Sequence, residues 1–285
     1  MQHSKIPIRE LLTVHGFKFS KSMGQNFLTD INIPAKIVSG AGVDKSCGVL
    51  EIGSGLGILT TELAKYASRV TTVELDKRLI PILKNILAEY DNVALLQGDI
   101  LKLDIKKVIA DSMPELQYHV CANLPYNITT PVITTLIEAD IFGSITVMIQ
   151  KEVAQRICAS PGSPEYGSFT VYANYHTEPV ILFDVPPECF TPRPKVTSSV
   201  IKMTTRLKKI LTKEKEISFF KVVRAAFGQR RKTLANALHA VYSSIYSKDE
   251  ITKIIENCGF DVRIRGEKLS IDDFIKLTDH FDAKL

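Results

Sequence analysis

Val49-Leu50-Glu51-Ile52-Gly53-Ser54-Gly55-Leu56-Gly57 decides the fold of this 285-residue chain. A short, mostly apolar run gives way to closely spaced glycines. Residues 58–67 then carry Leu59, Leu63, Ala64 and Ala67 at helical spacing. The order is strand, tight loop, helix. The glycines permit a sharp turn and let a ligand approach the backbone. Residues 70–73 form a second strand that ends in Glu74, 21 residues after Gly53. A strand, a helix and another strand predict a right-handed β-α-β unit in a parallel sheet.

The alternation continues beyond it. Asp76 caps a helix predicted to run to about residue 90, with Pro81 near its start. Residues 93–97 are a third strand, followed by Gly98-Asp99-Ile100. Residues 117–122 are a fourth, followed by Asn123-Leu124-Pro125-Tyr126 and a helix over 127–138 with Pro131 in its first turn. Residues 145–149 are a fifth strand, and 151–158 a helix. Residues 180–185 and 196–203 read as strands with no helix between them, since Pro186, Pro187, Pro192 and Pro194 make the connection too rigid and donor-poor. An antiparallel hairpin closing one sheet edge is the expectation. Towards the N-terminus, 8–12 reads as a short helix and 18–28 as a ligand-contacting loop. Residues 29–39 read as a helix stopped by Gly40 and Gly42. The fold class is α/β, a mostly parallel Rossmann-like sheet with an antiparallel hairpin at one edge.

From residue 207 the alternation is lost. Residues 216–227, 232–242, 248–258 and 271–281 have helical spacing, after a Lys-rich linker over 207–215. The expected domains are 1–207, catalytic, and 208–285, a small all-helical domain. Charge follows the same division. Residues 1–207 hold 20 Lys/Arg and 20 Asp/Glu, whereas 208–285 hold 16 and 11, so the whole excess of +5 lies in the helical part. That points to a polyanionic partner.

Hydrophobic content of 45% is that of a soluble globular protein, and no apolar run approaches the ~20 residues of a membrane span. The N-terminus has neither an apolar signal region nor a transit-peptide pattern. Five widely spaced cysteines without a C-x-x-C pair imply a reduced cytoplasmic protein and no metal site.

The glycines are one residue tighter than the G-x-G-x-x-G of dinucleotide binding. Glu74 can accept both hydroxyls of a ribose, and Asp99 can accept from an adenine amine. A dehydrogenase would need neither Asp99 nor the tetrapeptide. A ligand with ribose and adenine but no pyrophosphate fits better, and S-adenosylmethionine is one. In the tetrapeptide, the Asn123 oxygen can accept one N–H of an exocyclic amine, a carbonyl held by Pro125 can accept another, and Tyr126 can stack on the base.

The glycine loop, Glu74, Asp99 and Asn123-Leu124-Pro125-Tyr126 together resemble the class I S-adenosylmethionine-dependent adenine N6-methyltransferases. Three further stretches narrow the resemblance: Gly24-Gln25-Asn26-Phe27-Leu28, Phe190-Thr191-Pro192-Arg193-Pro194-Lys195-Val196-Thr197-Ser198 and Phe227-Gly228-Gln229-Arg230-Arg231-Lys232-Thr233. They resemble the small-subunit (16S) ribosomal RNA adenine N6,N6-dimethyltransferases of the bacterial KsgA/RsmA type. The resemblance runs from about residue 18 to the C-terminus. It implies that Asn26, Leu28, Gly53, Gly55, Glu74, Asp99, Ile100 and Asn123 bind the cofactor. It implies that Asn123, Pro125 and Tyr126 hold the target adenine, with Phe190 on its other face. Arg193 departs from the pattern, where a neutral residue is expected.

The implied substrate is small-subunit ribosomal RNA in an immature subunit, and the implied state is monomeric. Arg230, Arg231 and Lys232 open a predicted helix. Cations there oppose the macrodipole, so RNA phosphate is the expected compensation. A large-subunit enzyme of the macrolide-resistance kind shares the tetrapeptide, but the 227–233 and 265–269 segments favour the small-subunit type. A DNA adenine methyltransferase typically carries an acid in place of Asn123. An assembly factor acting mainly by binding is the alternative of a different class.

Overall fold

The computed structural model describes residues 25–281. The expected helix over 8–12 and the first part of the 18–28 loop, Gly24 included, lie outside the described residues. β1 (Phe27–Leu28) and α1 (Asn32–Ala41) come first. Strands and helices then alternate through β2 (Cys47–Ile52), α2 (Ile58–Tyr66), β3 (Arg69–Glu74), α3 (Ile80–Leu87), β4 (Val93–Gln97), α4 (Ile105–Ser112) and β5 (Gln117–Asn123). A 3-10 turn (Tyr126–Ile128) leads into α5 (Thr129–Ala139), β6 (Phe142–Gln150), α6 (Lys151–Ile157) and α7 (Ser168–His176). β7 (Thr177–Val185), β8 (Phe190–Thr191) and β9 (Ser198–Thr205) precede four helices: α8 (Lys213–Phe227), α9 (Leu234–Tyr242), α10 (Lys248–Asn257) and α11 (Ile271–Phe281).

The seven-stranded sheet has the order β4-β3-β2-β5-β6-β9-β7. From β4 to β6 every pairing is parallel, and β9 runs antiparallel to β6. The two late strands therefore close one edge, as the sequence suggests. The connection between them is more structured than its prolines indicate. Pro187–Cys189 is a 3-10 turn, and β8 pairs antiparallel with β1, Leu28 opposite Phe190 and Phe27 opposite Thr191.

Several boundaries differ from the sequence reading. α1 runs through Gly40 and ends only at Gly42, which takes φ 73° and returns its N–H to Ser39 and Val38. α3 begins at Ile80, and Asp76 instead caps the turn before it through the Arg78 N–H. α4 is an additional helix, capped by the Asp104 carboxylate at 3.1 Å from the Lys107 nitrogen. α7 is also additional. Its β-branched and aromatic residues disfavour a helix, but Val171 and Tyr175 are buried in a shared core with Phe219.

The chain forms two compact units. One comprises residues up to Ala154 with Pro179–Thr205. The other comprises Gln155–Glu178 with residues from Arg206 on. A division at 207 leaves 155–178 with the first unit, whereas packing puts it with the second. The first core gathers Val49, Cys121 and Val200 from one face of the sheet with Ile37 and Leu63. The second gathers Phe219, Leu238, Ile251, Phe274, Leu277 and Phe281. Among the described residues no helix is long and apolar enough to cross a membrane.

Gly266 in the second unit allows the closest backbone approach. A Cβ there would lie 2.9 Å from both the Cβ and the carbonyl oxygen of Ala226. Gly266→Ala should therefore destabilise the chain by about 1–3 kcal/mol. Chemical denaturation giving wild-type stability would show that α8 yields freely at Ala226.

Candidate active site

The ends of four parallel strands build one cleft of about 1110 Å³, its open mouth included. Ile52 pairs with Val73 on one side and Ala122 on the other. The next residues, Gly53, Glu74 and Asn123, therefore stand side by side at the strand ends. Glu74 pairs with Gln97 of β4, which brings Asp99 and Ile100 in two residues later. Asn26, Leu28, Gly53, Gly55, Glu74, Asp99, Ile100 and Asn123 all line the cleft, as do Gln25, Phe27, Glu51, Ser54, Leu124 and Pro125. The structure thus brings together every residue the resemblance assigns to the cofactor.

Glu74 is 6% exposed. Its Oε2 accepts the Gly55 N–H at 3.0 Å and its Oε1 the Asp76 N–H at 2.8 Å. Burial raises its pKa, and these two N–H groups act against that rise. The glycine loop takes left-handed angles at Gly53, Gly55 and Gly57. At Gly55 a Cβ would meet the Phe27 ring at 3.1 Å. Asp99 accepts the Leu101 N–H at 3.1 Å, and Lys102 pairs with it loosely at 3.7 Å. Carboxylates facing a cleft floored by glycine backbone suit S-adenosylmethionine, whose ribose hydroxyls and adenine amine are donors. Glu74 would hold the ribose, and Asp99 with Ile100 the adenine.

At the other end, the Asn123 Nδ2 donates to the Asn26 carbonyl at 3.3 Å. That sets the amide and leaves Oδ1 as its acceptor. The Pro125 carbonyl does not play the part expected of it. It already accepts the Ile128 N–H at 3.2 Å and the Thr129 hydroxyl at 3.3 Å, because the chain turns into α5 here. The preceding carbonyl, that of Leu124, has no hydrogen bond among the described residues and is the available one. The half-buried Tyr126 is fixed through its hydroxyl, 2.7 Å from the Ser198 Oγ. Burial raises its pKa, so it stays neutral.

Tyr126 and Phe190 lie outside the lining of the cleft. Phe190 is 4% exposed and packs in the core that includes Leu28 and Cys189. Its ring is not presented as a second stacking face, because pairing with Leu28 turns it inward. Arg193 pairs with Glu188. His119 lies four residues before Asn123 and bonds the Ser144 hydroxyl at 2.8 Å, a strand residue as expected. The five cysteines are free, and no metal-binding group occurs among the described residues.

Arg230, Arg231 and Lys232 do not open α9. They form the turn before it, and Thr233 is the cap, its hydroxyl accepting the Asn236 N–H. Arg230 donates to the Pro164 carbonyl and sits 3.6 Å from the Glu267 carboxylate. Arg231 and Lys232 are exposed.

Sequence reading missed Glu51. It is 1% exposed and lines the cleft. Its Oε2 accepts the Thr60 hydroxyl at 2.5 Å and the Thr72 hydroxyl at 2.6 Å, and Thr72 touches Ser54 at 2.5 Å. The only signal was an acid inside an otherwise apolar strand. Burial pushes Glu51 up to about 7 against the pull of both hydroxyls. A carboxyl whose folded pKa exceeds its unfolded value favours the folded state most at low pH, and that contribution is lost as pH rises towards 7. Glu51→Gln should therefore leave thermal stability near wild type at pH 5 and raise it at pH 8. An equal difference at both pH values, measured by calorimetric melting, would remove Glu51 from the titration.

The profile of the family described as ribosomal RNA adenine dimethylase matches residues 16–282. A protein named ribosomal RNA small subunit methyltransferase A from Bacillus licheniformis is 44% identical over 278 residues, covering 96% of this chain and 95% of the relative. One of the same name from Clostridioides difficile is 42% identical, covering 97% and 96%. Among solved structures, a dimethyladenosine transferase from Plasmodium falciparum superposes with a TM-score of 0.79 at 27% identity, covering 90% of this chain and 98% of that one. The 23S rRNA methyltransferase ErmE superposes with a TM-score of 0.70 at 24% identity, covering 90% and 100%, a likeness of fold. The chain belongs to the ribosomal RNA adenine dimethylase family.

Proposed function

We propose that this protein dimethylates N6 of two adjacent adenosines near the 3′ end of small-subunit ribosomal RNA, acting as a cytoplasmic monomer on an immature subunit. The observation that carries the reading is the Asn123 amide. It stands at a strand end beside Gly53 and Glu74, with its NH2 on the Asn26 carbonyl and its oxygen left to accept. The small-subunit type is supported by the names of the relatives above 40% identity. S-adenosylmethionine, when bound, supplies an electrophilic methyl group on a sulfonium.

Adenine N6 is a poor nucleophile because its lone pair is delocalised into the ring. The Asn123 Oδ1 and the Leu124 carbonyl accept its two N–H groups, favour a pyramidal nitrogen and stabilise the positive charge that develops there. Pro125 shapes the turn that aims the Leu124 carbonyl. Holding the amine in line with the methyl group supplies much of the remaining acceleration. The second transfer starts from an amine with one N–H, so one acceptor is enough. The product cation loses its proton to water, and no side chain must titrate. The base reaches the site by flipping, at a cost of about a few kcal/mol, and Tyr126 recovers part of that by stacking. The assignment rests on Tyr126 alone, since Phe190 lies in the core.

Tyr126→Ala removes a stacking face worth about 1–3 kcal/mol. It should lower single-turnover methyl transfer while leaving S-adenosylmethionine affinity nearly intact. Asn123→Ala should lower both. Mass mapping of ribosomal RNA from cells with and without the protein identifies the modified nucleotides. Wild-type rates in both variants would reduce the tetrapeptide to a turn.

The second unit is assigned to RNA. Arg231 and Lys232 are exposed, whereas Arg230 is held within the unit by Pro164 and Glu267. Arg231→Ala with Lys232→Ala should weaken binding to immature small subunits without changing cofactor affinity. If each cation neutralises one phosphate, the slope of log K against log salt becomes shallower by about 1.4–1.8. A wild-type slope would place the RNA contacts elsewhere.

A further inference from the structure

Asp76 lies two residues beyond Glu74, is 2% exposed and does not line the cleft. Its backbone N–H donates to the Glu74 Oε1 at 2.8 Å. Its Oδ1 accepts the Arg78 N–H at 3.0 Å and the Arg78 Nε at 2.9 Å. Its Oδ2 accepts the Arg78 Nη2 at 2.6 Å and the Gln25 Nε2 at 2.9 Å. The Arg78 bonds close the turn after β3 locally. The Gln25 bond is a separate connection to a distant part of the chain.

Residues 25–28 form a strap along the cleft, and different elements anchor it. Asp76 holds Gln25. The Asn123 Nδ2 holds the Asn26 carbonyl at 3.3 Å. β8 holds Phe27 and Leu28 through the short ladder. Beyond the strap, the Thr29 N–H and hydroxyl both donate to the Cys189 carbonyl, at 2.7 and 3.0 Å. The strap therefore joins the turn after Glu74 to the Asn123 amide. Its middle residue takes part in fixing which way that amide faces.

We propose that Asp76 is a positioning residue that, through Gln25, fixes the strap and thereby sets both S-adenosylmethionine affinity and the orientation of the Asn123 amide. The inference rests on reading the cleft as the S-adenosylmethionine site. Without the Gln25 anchor, the Asn26 carbonyl shifts, and the Asn123 NH2 loses its fixed acceptor. One change far from the reacting nitrogen then reaches two steps, cofactor binding and transfer.

The test uses four variants of the full chain: Gln25→Leu, Gln25→Glu, Asp76→Asn, and Gln25→Glu combined with Asp76→Asn. Cofactor affinity is read by calorimetry, and transfer by single turnover on undermethylated small subunits at saturating cofactor. Gln25→Leu removes one hydrogen bond to a charged group, so affinity should fall roughly tenfold, with a lower transfer rate besides. Gln25→Glu sets two carboxylates against each other and should lose more. Asp76→Asn also gives up the Arg78 Nη2 bond to Oδ2, so the double variant, in which donor and acceptor are exchanged between positions 25 and 76, is compared with the two single losses combined and should bind about tenfold better than they predict. A variant that merely folds poorly has no route to such rescue.

Wild-type affinity and rate in Gln25→Leu would overturn the inference. So would a double variant whose loss equals the two single losses combined. Glu74→Ala separates the two readings. If it leaves S-adenosylmethionine affinity unchanged, the cleft is misassigned. If it abolishes binding while the Gln25 variants behave as wild type, only the role of Asp76 fails.

Discussion

Parallel register at the centre of the sheet is the constraint on which the site depends. Ile52 stands level with Val73 and with Ala122, so β3, β2 and β5 end together. Each strand then contributes its next residue, and these are Glu74, Gly53 and Asn123. Side chains alternate faces along a strand, so a one-residue slip would send Glu74 or Asn123 to the opposite face. The glycine at the middle position has no side chain to obstruct a ligand lying across all three. Asp99 arrives by the same logic one strand further out, since Glu74 is level with Gln97. The lining of the cleft is thus a property of strand pairing first and of individual residues second.

Much of this was legible in the sequence. Apolar runs ending in glycine, Glu74, Gly98-Asp99 or Asn123 announce strands that finish in functional groups. Helical spacing likewise announced α2, α8, α10 and α11. The Asp104 cap with Ile105, Val108 and Ile109 is an equally good signal for α4. What could not be read was pairing between segments far apart. β1 and β8 are two residues each, too short for any periodicity, and only the folded chain reveals that Leu28 faces Phe190. That pairing explains why Phe190 is buried. Local backbone bonding was also invisible: nothing in Asn123-Leu124-Pro125-Tyr126 says that the turn into α5 uses the Pro125 carbonyl.

The basic cluster shows the same boundary between composition and geometry. Consecutive cations opening a predicted helix suggest a charge in need of an anion. In the structure Thr233 caps α9 and the cations lie in the preceding turn. The Arg230 side chain reaches Pro164 and Glu267, segments that pack within the same unit. The Gly162 N–H also donates to the Glu267 carbonyl at 2.7 Å, so the loop and the turn are tied twice. Adjacent cations therefore have different work, one bridging the unit internally and two facing outward. Likewise α7, poor in helix-forming residues, is held by tertiary contacts, with Tyr175 against Phe219 at 5.0 Å.

Electrostatics accounts for buried acids at a site whose proposed reaction needs no residue that titrates. The Glu74 carboxylate raises the protonation of Glu51 and the Asp76 carboxylate that of Glu74, and burial is the larger cause for both. Burying carboxylates is unfavourable unless donors compensate, and here the compensation comes from Thr60, Thr72 and the N–H groups of Gly55 and Asp76. These are dipoles, and no ion pair to either acid is present among the described residues. Such a cleft favours a cationic ligand over a neutral one of the same shape. In the proposed reaction the nitrogen that becomes positive lies next to the Asn123 oxygen and the Leu124 carbonyl, whose dipoles are fixed before the charge develops. Charge stabilised by fixed dipoles requires no proton to move at the moment of transfer. A neutral Tyr126 and a His119 tied to Ser144 are therefore consistent with the proposed chemistry, in which the rate depends on how firmly the strap and the turn into α5 hold those acceptors.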